Sequence, residues 1–197
     1  MSVNYQKLYI YTFGNFLVRK EDKIIFSGEN SHLNKRWQLF LYLLFNRDKK
    51  ISNQKLIKLL NLEENVSPQQ SLRALVYRLR KDLDLKNSKF IINSKGGYLF
   101  NSDSSYWLDC QYFSGMIKRA KSIEEKERSL DLYQEAISLY KGSFLNNQQL
   151  NDIKFNQLQE KYQELYKEAV LKLGKIFAED KKHKKEVDLY EKAIQLN

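Results

Sequence analysis

Ser67-Pro68-Gln69-Gln70-Ser71-Leu72-Arg73-Ala74-Leu75-Val76-Tyr77-Arg78-Leu79-Arg80-Lys81-Asp82-Leu83 is the stretch on which the rest of the chain turns. It opens with a Ser suited to cap a helix, a Pro at the first helical position and a Gln three residues after the Ser, the capping-box arrangement. Leu72, Leu75, Val76, Leu79 and Leu83 then fall within an arc of about 100° on a 3.6-residue wheel, which predicts one buried face. The opposite arc carries Gln70, Arg73, Ala74, Tyr77 and Lys81, with Arg78 and Arg80 on its flanks. An amphipathic helix whose outer face is cationic and holds a Tyr in mid-arc is unusual for a merely solvated surface.

Downstream, Phe90-Ile91-Ile92 and Tyr98-Leu99-Phe100 flank Asn93-Ser94-Lys95-Gly96-Gly97, which predicts a hairpin with Lys95 at its tip. Upstream, a short helix is expected over about 53–60 with Ser52 as its cap. Another is expected over about 34–46, with Trp37, Phe40, Leu41, Leu44 and Phe45 at i, i+3, i+4, i+7 and i+8. Before them, residues 7–13, 16–19 and 24–26 are β-branched and aromatic runs separated by Gly14-Asn15 and a polar turn, the pattern of an antiparallel meander. Meander, three helices and hairpin in that order read as a winged helix over 1–102. The small polar stretch 101–105 is the expected boundary.

Beyond it the strand signal stops. Helices are expected over 113–121, 123–140, 152–179 and 184–196. Asp131-Leu132-Tyr133-Gln134-Glu135-Ala136-Ile137-Ser138-Leu139 is matched 57 residues later by Asp188-Leu189-Tyr190-Glu191-Lys192-Ala193-Ile194-Gln195-Leu196, with six of nine positions identical. Small Ala beside large aromatics suits stacked helical hairpins, so 106–197 reads as an all-α, tetratricopeptide-like domain.

Composition narrows the function. The 197 residues carry a net charge of +10. Residues 1–102 hold 18 Lys+Arg against 8 Asp+Glu, whereas 103–197 hold 16 of each, so all the excess lies in the first half. A basic half joined to a balanced half points to a polyanion on one side of the chain and another partner on the other; a merely soluble basic domain is the plain alternative. A single Cys, Cys110, excludes an internal disulfide and a Cys-rich zinc site, and it reads as packed. His32 and His183 are too far apart for a metal motif and read as surface or capping residues. Glu124, Glu125 and Glu127 read as first-turn helix acids. No Gly-x-Ser-x-Gly, His-Glu-x-x-His, Gly-x-Gly-x-x-Gly or Walker-type loop occurs, so neither enzyme chemistry nor a nucleotide cofactor is expected. The longest apolar run, 39–45, is too short for a membrane span, and no charged segment followed by an apolar core opens the chain. A cytoplasmic, nucleoid-associated location is the expectation.

The residues that would meet a polyanion follow from the helix wheel. An α-helix fits the major groove of B-DNA and presents side chains to base edges, while cations on either side hold it to phosphates. The candidate DNA-binding set is Gln70, Arg73, Tyr77, Arg78, Arg80 and Lys81 on the helix and Lys95 in the wing. Lys35 and Arg36 join it at the start of the first helix. Arg78 and Arg80 are expected to divide between phosphate contacts and ion pairs within the domain. Trp37 is expected in the core.

Four segments resemble a known family. Residues 71–83 are similar to the recognition helix of the SARP-type bacterial transcriptional activators, and Ile91-Ile92-Asn93-Ser94-Lys95-Gly96-Gly97-Tyr98-Leu99 resembles their wing. Leu108-Asp109-Cys110-x-x-Phe113 and Ala136-Ile137-x-Leu139-Tyr140-Lys141-Gly142-x-Phe144-Leu145 resemble the helical domain that follows. The resemblance implies an OmpR-like winged helix and a tetratricopeptide-like domain. It also implies transcription activation on promoter repeats, pairs of copies on direct repeats and contact with RNA polymerase. By position it puts Arg73, Tyr77, Arg80 and Lys81 toward DNA. Two other readings compete: an adaptor whose winged helix binds protein, and an RNA-binding module, for which Tyr9 and Tyr11 on a strand are the opening.

Overall fold

The computed structural model describes residues 7–28, 33–47, 49–84, 89–146, 150 and 152–196. His32 lies outside them. Three strands, β1 (Leu8–Tyr11), β2 (Leu17–Lys20) and β3 (Lys23–Ser27), come first. Helices α1 (Lys35–Leu44), α2 (Asn53–Leu59) and α3 (Pro68–Leu83) follow, with a two-residue strand β4 (Ile51–Ser52) before α2. The hairpin is β5 (Ile91–Ser94) and β6 (Gly97–Phe100). After β7 (Tyr106–Leu108) the chain is helical: α4 (Asp109–Ser122), α5 (Lys126–Leu139), α6 (Ile153–Glu179) and α7 (His183–Gln195). The fold class is the expected one, a β-rich winged-helix region followed by helices.

Two expectations change. The strand signal does not stop at the hairpin: β7 joins the N-terminal sheet in the order β3-β2-β1-β7. Ser67 is the cap residue of α3 but its side chain makes no capping hydrogen bond, its φ and ψ being −141° and 82°. Pro68 at the first position, with φ already fixed and no N–H to satisfy, starts the helix without it. Real side-chain caps occur elsewhere. Asn34 accepts from the Trp37 N–H at 3.2 Å, and Ser52 from the Lys55 N–H at 3.3 Å.

The chain divides into two compact units. One comprises Met1–Leu8, Arg19–Ile25 and Ser31–Tyr106. Its core is aromatic, with Trp37, Phe40, Phe90 and Phe100 fully buried. Trp37 meets Phe40 edge-on at 5.6 Å, and Phe100 lies 6.1 Å from both Phe40 and Phe90. Against it α3 buries Leu72, Val76, Leu79 and Leu83. Leu75 stays half-exposed. A second sheet, ordered β4-β6-β5, pairs Ser52 with Gly97 and Ile51 with Tyr98. A Cβ on Gly97 would collide with the Ile51 carbonyl, so this contact between strands demands glycine.

The other unit comprises Tyr9–Val18, Phe26–Asn30 and Trp107–Asn197. Here residues 12–14 zip onto 143–146: Leu145 N–H donates to the Thr12 carbonyl at 2.7 Å and Gly14 N–H to the Ser143 carbonyl at 3.0 Å. Phe13 lies between Phe113 and Tyr140 at 5.0 and 4.9 Å, and Tyr140 stacks on Tyr166 at 3.9 Å. Asp109, almost wholly buried at the start of α4, closes the joint. It accepts from the Thr12 N–H and hydroxyl, both at 2.6 Å, from Phe13 N–H at 2.9 Å and from Cys110 N–H at 2.7 Å. Burial raises its carboxyl above the ordinary value, against the opposing pull of those four bonds. Cys110 is buried, as expected of a packed thiol.

Candidate nucleic-acid interface

The outward face of α3 is open. Gln70, Arg73, Ala74, Tyr77, Arg78 and Lys81 are all exposed. Tyr77 is 69% exposed in the middle of a 16-residue helix whose other face is sealed. A large aromatic so exposed gains little from burial on folding, so its place on this face is not explained by packing. The helix packs on α1 and α2 and leaves its outer arc exposed.

The C-terminal end of α3 is fastened. Arg36, at the start of α1, reaches Asp82 with 2.9 Å between Nη1 and Oδ2, and its guanidinium lies 5.8 Å from the Trp37 ring centre. Lys20 Nζ donates to the Asp84 carbonyl at 2.6 Å. Arg80 turns away from the outer arc. Its Nε and Nη2 donate to the Ile91 carbonyl at 3.0 and 2.9 Å, and Nη2 lies 3.4 Å from Asn93 Oδ1. The wheel puts Arg80 on the flank of the exposed arc; the neighbouring hairpin claims it, and its geometry is that of a clasp between α3 and the wing. Arg36 likewise spends its charge within the domain. Of the two arginines on the flanks, Arg78 stays exposed and Arg80 is half-buried.

The wing tip is a two-residue turn, Lys95-Gly96, with Gly96 at a φ of +75°, the left-handed region that glycine enters without strain. Lys95 is exposed. Its carbonyl accepts from Lys50 Nζ at 3.0 Å, and the Gly96 carbonyl from Asn53 N–H at 2.9 Å. The tip therefore carries two ammonium groups. Sequence reasoning missed Lys50, because nothing local links it to a turn 45 residues away. Lys35 is exposed and donates to the Asn61 carbonyl at 2.8 Å. It joins Asn34, Arg36, Leu75 and Arg78 around an open notch of about 350 Å³ beside the start of α1. The structure thus brings Lys35, Arg36 and Arg78 together, while Lys50 and Lys95 gather at the wing.

Among the described residues no cluster of His, Cys, Asp and Glu could hold a metal ion. None of their helices is long and apolar enough to cross a membrane.

No protein-family profile and no curated protein sequence matches the chain. Among solved structures it is similar to Mycobacterium tuberculosis EmbR, solved in complex with a low-affinity phosphopeptide. The TM-score is 0.67 over 88% of this chain, at 16% identity. The two share a fold. At that identity the likeness is one of fold alone. This chain spans 46% of the length of EmbR.

Proposed function

We propose that the protein is a sequence-specific, double-stranded-DNA-binding regulator of transcription, acting as an activator at the nucleoid. In this reading α3 enters the major groove, where Gln70, Arg73 and Tyr77 meet base edges. Lys35, Arg78 and Lys81 lie toward phosphates beside it, and Lys50 and Lys95 toward the backbone or the adjacent minor groove. Arg36 and Arg80 are positioning residues, since one holds the C-terminal end of α3 and the other holds the wing against it. Two copies would occupy direct repeats in a promoter, and the helical unit would contact RNA polymerase.

The observation that carries the reading is the outer face of α3, cationic and aromatic and left open by the fold, in a half of the chain that holds all the excess positive charge. Phosphate neutralisation supplies most of the affinity by releasing condensed counterions, and base contacts supply the discrimination. A gel shift of the full chain with genomic duplexes, set against RNA of the same sequences, tests it. Duplex binding at defined promoter fragments is expected. Preference for RNA would favour the stacking reading, and sequence-independent binding with a tight protein partner would favour the adaptor.

A further inference from the structure

Three side chains on the outer arc of α3 are claimed by nothing in the domain. Gln70, Arg73 and Tyr77 are exposed, and none of these side chains has a hydrogen-bond or ion-pair partner among the described residues. Arg36 and Arg80, by contrast, are engaged by Asp82 and by the Ile91 carbonyl. Arg73 therefore keeps its whole planar fork of donors, and Gln70 keeps both halves of its amide.

Their spacing along the helix matches the stacking of bases. At a rise of 1.5 Å per residue, Gln70 and Arg73 stand about 4.5 Å apart along the axis, and Arg73 and Tyr77 about 6 Å. Base pairs stack at about 3.4 Å. A helix lying along the major groove sets Gln70 and Arg73 over neighbouring pairs and Tyr77 about two pairs beyond. Lys81 lies about 16.5 Å from Gln70 along the axis. Its ammonium is a point charge without a planar fork, so it remains a phosphate contact.

Each of the three has a matching base edge. Guanine shows two acceptors, O6 and N7, which fit a guanidinium fork; adenine shows an acceptor and a donor, the complement of an amide. Ala74 and Tyr77 are both exposed and lie three residues apart on one face. Together they offer a methyl group and a ring, which suit the methyl group of thymine. What the face lacks narrows the choice further. The only acidic residue in α3 is Asp82, and Arg36 holds it. No carboxylate is left on the arc to accept from cytosine N4, so a G·C pair is read through its guanine.

We propose that one copy of the chain selects a short mixed element. An adenine faces Gln70, a guanine in the adjoining pair faces Arg73, and a thymine methyl about two pairs beyond the guanine meets Ala74 and Tyr77. Neither an A·T-only nor a G·C-only site satisfies all three. This rests on the DNA reading above and names the bases that reading would select.

The test starts with the full chain and a pool of randomised duplexes. The retained sequences are expected to share the adjoining adenine and guanine and the thymine. Anisotropy then measures duplexes in which one of those bases is replaced by an analogue that pairs normally: 7-deazaguanine, 7-deazaadenine or uracil. For the wild type, each deaza-purine should weaken binding at least about fivefold, and uracil about fourfold. In Arg73→Ala the 7-deazaguanine effect alone should vanish, and in Gln70→Ala the 7-deazaadenine effect alone. Tyr77→Ala should lose the uracil effect and Tyr77→Phe should keep it. If no duplex is enriched from the pool, the DNA reading fails and the base assignment falls with it. An enriched motif without the adjoining adenine and guanine overturns the assignment while the DNA reading stands. So does a 7-deazaguanine penalty that survives in Arg73→Ala.

Discussion

Replacing Asp109 by Ala should be among the most damaging single changes in the helical unit. The wild-type carboxylate accepts from three backbone N–H groups and one hydroxyl at 2.6–2.9 Å in an almost water-free site. Each buried donor left unpaired costs about 1–3 kcal/mol. Water entering the space of the lost side chain recovers part of that, so the net loss should be about 3–5 kcal/mol. Asp109→Asn is a milder probe. Its Oδ1 can serve Thr12 and Phe13 N–H, and its Nδ2 can donate to the Thr12 hydroxyl, leaving Cys110 N–H facing a donor. One orphan should cost about 1–2 kcal/mol. The pH dependence has a definite sign. Burial raises the folded-state pKa above the ordinary 3.8. Between those two values the folded chain binds more protons than the unfolded one, so stability falls as pH rises through the folded value. The stability difference between wild type and Asp109→Asn should therefore shrink from pH 4 to pH 7. Urea unfolding followed by circular dichroism across that range measures both quantities. A loss below about 1 kcal/mol for Asp109→Ala would refute the clasp. A wild-type advantage that grows with pH would show that the four hydrogen bonds outweigh burial.

Other expectations concern the DNA face. Arg73→Ala should cost about 1–3 kcal/mol of binding and relax specificity at one operator position, as read from affinities for single-base variants of a bound site. Uniform weakening across all sequences would make Arg73 a phosphate contact instead. Arg80→Met keeps the apolar stem but frees the Ile91 carbonyl. It should lower hydrogen-exchange protection of β5 and weaken all duplexes alike; unchanged exchange in the hairpin would remove the clasp. Gly97→Ala forces β4 from β6 at the Ser52 pairing, and thermal unfolding should show a loss of about 1–3 kcal/mol.

Much of this was legible because it is local. The period of α3, the cap at Ser52 and the Lys95-Gly96 turn are written in neighbouring residues. What escaped is tertiary. β4 and β7 are two and three residues long and owe their strand character to Tyr98 and to the N-terminal sheet, not to their own sequence. Asp109 meets Thr12 across 97 residues. Arg80 belongs on the flank of the exposed arc by periodicity, and the position of the hairpin withdraws it. Ser67 has the composition of a capping box and the wrong backbone angles. The open arc itself was visible as Gln70, Arg73, Tyr77 and Lys81; the second wing cation, Lys50, needed the fold.

The most direct measurement is the salt dependence of binding to a selected promoter duplex and to a scrambled one, for wild type and Arg73→Ala. Lys35, Lys50, Arg78, Lys81 and Lys95 give about five phosphate contacts and a slope of log affinity on log salt near −4.5, a loss of roughly 10²–10³-fold from 50 to 200 mM. The wild type should keep a preference for the selected duplex at every salt concentration, and Arg73→Ala should lose part of it, about 1–3 kcal/mol. A flat salt response, or equal affinity of the wild type for both duplexes, would contradict a DNA reader on this face.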